Sequence, residues 1–193
     1  MGSYTVKSGY KVGCSLLSDP GLSGEGGGSS SLRTFWKGLW KLSLPAKVKL
    51  FVWRACNNFL PTNECLSRRK MHVDPRCPLC KCKNESILHA LWVCRLLKVD
   101  CLLWPSVNGR CSGGAVYFLE FILDCFHHLN YENMGLLCVV LWRNWYIRNV
   151  RVHGSKCDAG INNLEWAHHF LRDYSAASVV SVDAGQSVVQ SKI

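Results

Sequence analysis

Residues 77–94 read Cys77-Pro78-Leu79-Cys80-Lys81-Cys82-Lys83-Asn84-Glu85-Ser86-Ile87-Leu88-His89-Ala90-Leu91-Trp92-Val93-Cys94. The chain holds twelve Cys in 193 residues, and this is the stretch that crowds several of them together. Its pattern is C-x2-C, eight residues, then H-x4-C. Structural zinc sites take four S or N ligands in a tetrahedron. Two Cys separated by two residues can hold one ion from a single tight turn. His89 and Cys94 then follow from a helix and its C-terminal end, about one and a half turns apart. The spacing predicts one structural Zn2+ on Cys77, Cys80, His89 and Cys94. With all four positions filled by protein, no place is left for a reactive water, so the ion is expected to be non-catalytic. Three alternatives stay open at this point. Cys82 can replace Cys80 or be a spare thiol. The paired cysteines can be a redox couple, although the strand-and-helix frame of such couples is missing. His72, close by, reads as an exposed histidine at a helix end.

Outward from this stretch the sequence reads as mainly α. On its N-terminal side, Trp36, Leu39 and Trp40 sit at i, i+3, i+4. Pro45 suits the first turn of a new helix, where its missing N–H costs nothing. Val48, Phe51, Val52, Ala55 and Phe59 then form an apolar helical stripe, which Asn57, Asn58 and Pro61 end. Thr62 is placed to cap a short helix running through Arg69, with Glu64 in its first turn. Asn84 is placed to cap another, from Glu85 to about Val93. Further upstream, residues 19–31 are rich in Gly and Ser and read as a loop, and residues 4–17 suit a short helix. On the C-terminal side, residues 116–126 and 134–150 are apolar helical stretches, and residues 162–174 suit a last helix. There Trp142, Trp145 and Tyr146 recur at core spacing. From Ser175 onward nothing suggests a packing partner. Cys56, Cys101, Cys125 and Cys138, single in apolar surroundings, read as small hydrophobes.

Charge is concentrated. The net charge is +10. Between Arg33 and Lys98 lie 14 Lys or Arg against 3 Asp or Glu, and the rest of the chain holds 9 against 10. Such asymmetry is what a nucleic-acid surface gives, and also what a merely solvated basic face gives. No apolar run approaches the roughly 18–20 residues of a membrane span. Residues 135–142 are too few, and 116–126 are broken by Glu120 and Asp124. No secretory pattern opens the chain. Position 6 is Val where a myristoylation motif wants Ser or Thr, and Ser191-Lys192-Ile193 differs from the peroxisomal tripeptide. The expectation is an intracellular protein with no membrane partner, the nucleus being one open compartment.

The stretch Trp40-Lys41-Leu42-Ser43-Leu44-Pro45-Ala46-Lys47-Val48-Lys49-Leu50-Phe51-Val52-Trp53-Arg54 resembles the signature of the plant reverse transcriptase zinc-binding domain. Thr5-Val6-Lys7-Ser8-Gly9-Tyr10 is similar to that family's opening. Asn58-Phe59-Leu60-Pro61-Thr62, Leu66, Arg68-Arg69, Cys77-x2-Cys80, Glu85-Ser86-x2-His89 and Cys94 continue it in order. The resemblance spans residues 4–105 and implies a small helical zinc-binding domain, with Cys77, Cys80, His89 and Cys94 as its ligands. It implies a place behind the reverse transcriptase of non-LTR retrotransposons, often ahead of a ribonuclease H-like domain; these residues hold neither in full. Trp142-x2-Trp145-x2-Arg148-Asn149 is similar to the segment that commonly joins the two, so residues 106–193 are expected to be a helical tail.

The function that follows is a zinc-stabilised module binding RNA or DNA without sequence choice. Lys47, Lys49, Arg54, Arg68, Arg69, Lys70, Lys81 and Lys83 would neutralise phosphates. Trp36, Trp40 or Trp53, where exposed, would stack on bases. A ribonuclease H activity would need several carboxylates converging on metal ions. Asp183 resembles the first of such a set, but Asp158, Glu165 and Asp173 complete no recognisable one, and no enzyme is expected. The other reading is a decayed retroelement fragment or protein-interaction module with no activity of its own.

Overall fold

The computed structural model describes residues 28–97, 116–154 and 162–190. It is mainly helical, and among the described residues no strand forms beyond one isolated antiparallel bridge between Arg76 and Asn84. The helices are α1 (Gly28–Lys41), α2 (Ala46–Cys56), α3 (Asn63–Arg68), a π-helical turn (His89–Val93), α4 (Phe118–His128), α5 (Tyr131–Val152) and α6 (Asn163–Gln190). The chain divides into two compact units, residues 1–36 and 37–193. Of the first, the described part is the opening of α1, where the Phe35 and Trp36 rings lie 4.7 Å apart. The second unit carries the four zinc-ligand candidates and the helices from α2 onward.

The second unit is built on α5. Every residue from Met134 to Leu141 is buried, as a helix apolar on all sides must be when neighbours surround it. It packs against α2, the π-helical turn and α6. α2 contributes Val48, Phe51, Val52 and Ala55, all buried, from the predicted stripe. Pro45 sits one residue before α2 at φ −54°, and its carbonyl accepts the Val48 and Lys49 amides. Thr62 caps α3 as expected, its side chain accepting the Cys65 N–H, and Asn130 caps α5 through the Asn133 N–H. Asn162 caps α6, its Oδ1 accepting the Leu164 amide at 2.8 Å. No described helix is long and apolar enough to cross a membrane.

Several expectations are corrected. α1 begins at Gly28, inside the stretch read as a loop, because adding a residue to an existing helix gains a hydrogen bond without a new nucleus. Phe59 does not extend the α2 stripe: α2 stops at Cys56, Asn58 turns the chain at φ 57°, and Phe59 is 52% exposed. Asn84 caps no helix. It pairs with Arg76, and the Glu85 N–H is taken by the Pro75 carbonyl at 2.8 Å. Ser86 takes over, its hydroxyl accepting the His89 N–H at 3.1 Å, and helix starts at Ile87. Trp142 and Trp145 are half-buried and Tyr146 is exposed, because α5 turns that side to the rim. The last helix runs on past Tyr174 to Gln190. The expectations for residues 4–17, Cys101 and Asp158 lie outside the described residues. Cys56, Cys125 and Cys138 are buried as read.

Candidate metal centre

Two local structures deliver the four donors. The first is a tight hairpin at Cys77–Cys80. The Cys77 N–H donates to the Lys83 carbonyl at 2.8 Å, and the Lys81 N–H returns to the Cys77 carbonyl at 3.0 Å. Closing it puts Lys81 at φ 58°, left-handed backbone that glycine adopts more cheaply. The second is the π-helical turn, marked by the Cys94 N–H bonding the His89 carbonyl five residues back at 2.9 Å. In an α-helix, residues five apart are turned about 140° from one another. The wider turn brings His89 and Cys94 to one side.

Cys77, Cys80, His89 and Cys94 thus converge, with donor atoms all within 4.8 Å of one another and all four residues buried. Cys77 Sγ lies 3.9 Å from Cys94 Sγ, and Cys80 Sγ lies 3.3 Å from His89 Nε2. Tetrahedral zinc with S at about 2.3 Å and N at about 2.0–2.1 Å has S–S edges near ~3.8 Å and S–N edges near ~3.6 Å. The donor set fits zinc in chemistry and in size. These cysteines are free thiols, and an Sγ–Sγ distance near 3.9 Å is far from a disulfide. Cys82 stays outside: it is exposed and its thiol donates to the Cys80 carbonyl at 3.0 Å. His72 is exposed and also outside.

Burial sets the metal-free electrostatics. It pushes the Cys94 thiol up to about 12 and raises Cys77. At Cys80 burial is outweighed by hydrogen bonds from the Cys82 backbone and from the Cys77 and Cys94 thiols, so its pKa falls. Burial lowers His89, which favours the neutral imidazole that a metal needs. His89 Nδ1 is buried without a hydrogen-bond partner.

Two features of the centre were not foreseen. Glu85 is wholly buried, and Arg148 from α5 grips it with Nε at 2.8 Å from Oε1 and Nη2 at 2.6 Å from Oε2. The Asn63 N–H adds a third bond to Oε2 at 2.7 Å. Asn144, also on α5, donates to the Leu91 carbonyl at 2.9 Å inside the π-helical turn and accepts from Asn163 of α6 at 3.0 Å. Ile147 packs with Cys77, Cys80, Cys94 and Leu97. The tail therefore forms one wall of the centre. Arg148 stands out in the sequence as a cation in an apolar helix, and Glu85 as one of few acids in a basic region; nothing in the sequence paired them.

The basic candidates have different local settings. Lys81 and Lys83 are exposed on the hairpin, and Arg69 and Lys70 are exposed beyond α3. Arg68 is held by Glu64 at 2.7 Å. On α2, Arg54 is exposed, Lys47 lies 4.8 Å over the Trp142 ring, and Lys49 donates to the Trp40 carbonyl at 3.0 Å. Trp36, Trp40 and Trp53 are half-buried.

Comparison with known proteins agrees with this centre. The family described as zinc-binding in reverse transcriptase matches residues 4–104. A protein of Arabidopsis thaliana named "Putative ribonuclease H protein" is 25% identical over 198 residues, covering 94% of this chain. The chain spans 29% of that relative's length. No solved structure matches.

Proposed function

The chain belongs to the family of zinc-binding domains of reverse transcriptases, and from that premise we propose that it is a non-catalytic, zinc-stabilised accessory module that binds RNA or DNA without sequence choice. The observation that carries the reading is the closed, buried Cys3His set. Cys77, Cys80, His89 and Cys94 hold one ion, and a site filled by four protein ligands has no open position for substrate. The ion closes the hairpin onto the π-helical turn, and its binding energy is folding energy.

Nucleic-acid binding is supported by the charge around that centre. Lys81 and Lys83 project from the hairpin, with Arg69 and Lys70 exposed beyond α3. Lys70 and Lys81 both occupy left-handed backbone, φ 61° and 58°, a conformation that costs a lysine more than a glycine.

The test begins with zinc content and the helical circular-dichroism signal of the purified chain before and after chelation. One equivalent of zinc whose removal melts helix is expected, as is loss of protease resistance in Cys80→Ser. No zinc, with a fold indifferent to chelator, overturns the structural role and leaves the four donors as relics. Fluorescence anisotropy with labelled RNA and DNA, from about 50 to 200 mM salt, then tests the second half. Affinity should fall steeply with salt, and the Lys81→Gln/Lys83→Gln variant should flatten the slope by about one per lost phosphate contact. Absence of binding at low salt refutes the nucleic-acid reading.

A further inference from the structure

Exposed rings accompany cations on and beside α2. α2 has three cations and no acid among its 11 residues. One side of it is buried; on the other, Lys47, Leu50 and Arg54 are exposed, at spacings of three and four that put them on one face. Each end of this face meets an aromatic group. Past the C-terminal end, Phe59 meets the half-buried Trp53 edge-on at 5.6 Å and keeps half its surface in solvent. At the other end, Lys47 Nζ is 4.8 Å from the Trp142 ring and 5.8 Å from the Phe170 ring. Arg143 continues the series, 4.4 Å over Trp166 and 5.1 Å over the exposed ring of Tyr146.

Rings alone would suit an apolar partner, and cations alone any polyanion. Their alternation suits a ligand that offers flat apolar faces and negative charge in turn, which is a nucleic-acid strand with unpaired bases. Lys47 and Arg54, seven residues apart on α2, are separated by about 10 Å along its axis, a span for a few nucleotides and no more. Bases inside a duplex cannot offer their faces.

We propose that the exposed face of α2, with Phe59 at one end and Tyr146 beyond the other, is a stacking surface for single-stranded nucleic acid. The proposal rests on the nucleic-acid reading above and adds to it the form of the ligand and its place. The hairpin lysines then serve phosphates further along the strand.

The experiment uses the zinc-loaded full chain, with labelled oligothymidylate, oligouridylate and a duplex of equal length as probes. Both single strands should bind more tightly than the duplex. Phe59→Ala and Tyr146→Ala remove exposed rings, so both variants should keep zinc and helix. Each should weaken single-strand binding about tenfold and leave the salt slope unchanged. Arg54→Gln should lower that slope, as the hairpin variants do. Ring variants that bind like the parent, or a preference for duplex, overturn this proposal and leave the broader reading standing. A parent chain that binds none of the three probes overturns both, and self-association lost in Phe59→Ala would then assign the face to protein contact.

Discussion

Arg148→Met tests how far the zinc segment depends on the tail. The change keeps the length and apolar stem of the side chain and removes its charge. In the parent, the Glu85 carboxylate has no solvent and accepts three bonds, two from Arg148 and one from the Asn63 amide. Methionine leaves one. Breaking a buried pair by removing one partner costs about 3–5 kcal/mol, and the surviving Asn63 bond argues for the lower end, ~3 kcal/mol. Against a typical domain stability of about 5–15 kcal/mol, that is a large share. Glu85 lies four residues before His89, so the strain falls on the zinc segment, and zinc should leave the variant faster.

Urea unfolding at saturating zinc measures the first quantity, and zinc release to a chromogenic chelator the second. A double-mutant cycle with Glu85→Gln distinguishes pairing from packing. Glu85→Gln/Arg148→Met buries no charge and should recover most of the loss, because exchanging a whole buried pair for neutral groups is often near neutral. An Arg148→Met variant that loses less than about 1 kcal/mol and keeps its zinc as long as the parent would refute the reasoning, since only exposed ion pairs are worth so little.

Three further outcomes follow from single residues. Asn144→Ala removes the donor to the buried Leu91 carbonyl and should cost about 1–3 kcal/mol, visible as faster amide exchange in the π-helical turn. Lys81→Gly relieves left-handed backbone and should raise stability by roughly 1 kcal/mol while weakening oligonucleotide binding; a variant both less stable and tighter-binding would contradict both assignments. Burial pushes the Cys138 thiol from 9.0 up to about 12. The unfolded chain therefore gives up this proton first. The stability is present in full below pH 9 and drains away as pH climbs towards 12, at up to ~1.4 kcal/mol per pH unit. Thermal melts from pH 8 to 10.5 should accordingly show a shallower alkaline decline in Cys138→Ala than in the parent.

The helices and the gathering of the four donors were legible because each leaves a local signature. Apolar spacing marks α2, α4 and α5, Thr62 marks the start of α3, and the Cys and His intervals mark the centre. What escaped depends on partners distant in sequence. Glu85 and Arg148 are 63 residues apart and Asn144 and Leu91 are 53 apart, and periodicity carries no information about such pairs. Tyr146 and Phe59 escaped for the opposite reason: aromatic residues at core spacing are usually buried, and only the path of the chain, turned by Asn58 or running along the rim of α5, leaves these two outside.

One local feature, the π turn, was written in the spacing but read there as ordinary helix. The two ligands of H-x4-C do not line up on an ideal α-helix, because five residues leave the side chains about 140° apart. A π turn, closed by its i→i+5 hydrogen bond, removes the discrepancy, and the Cys94-to-His89 bond is that closure. The extra residue is thus a device for register, and it can be tested by taking it out. Val93 is 38% exposed, so deleting it sacrifices little core. The deletion turns H-x4-C into H-x3-C, and residues four apart share one face of an ordinary α-helix. The deletion variant should keep one equivalent of zinc with the π turn replaced by α-helix. Inserting one Ala after Val93 sets the ligands six residues apart, still about 120° from one another on an α-helix, and should abolish zinc retention. If the deletion loses zinc as completely as the insertion, the π turn serves the packing of Leu97 and Ile147 rather than ligand register, and the argument from spacing fails.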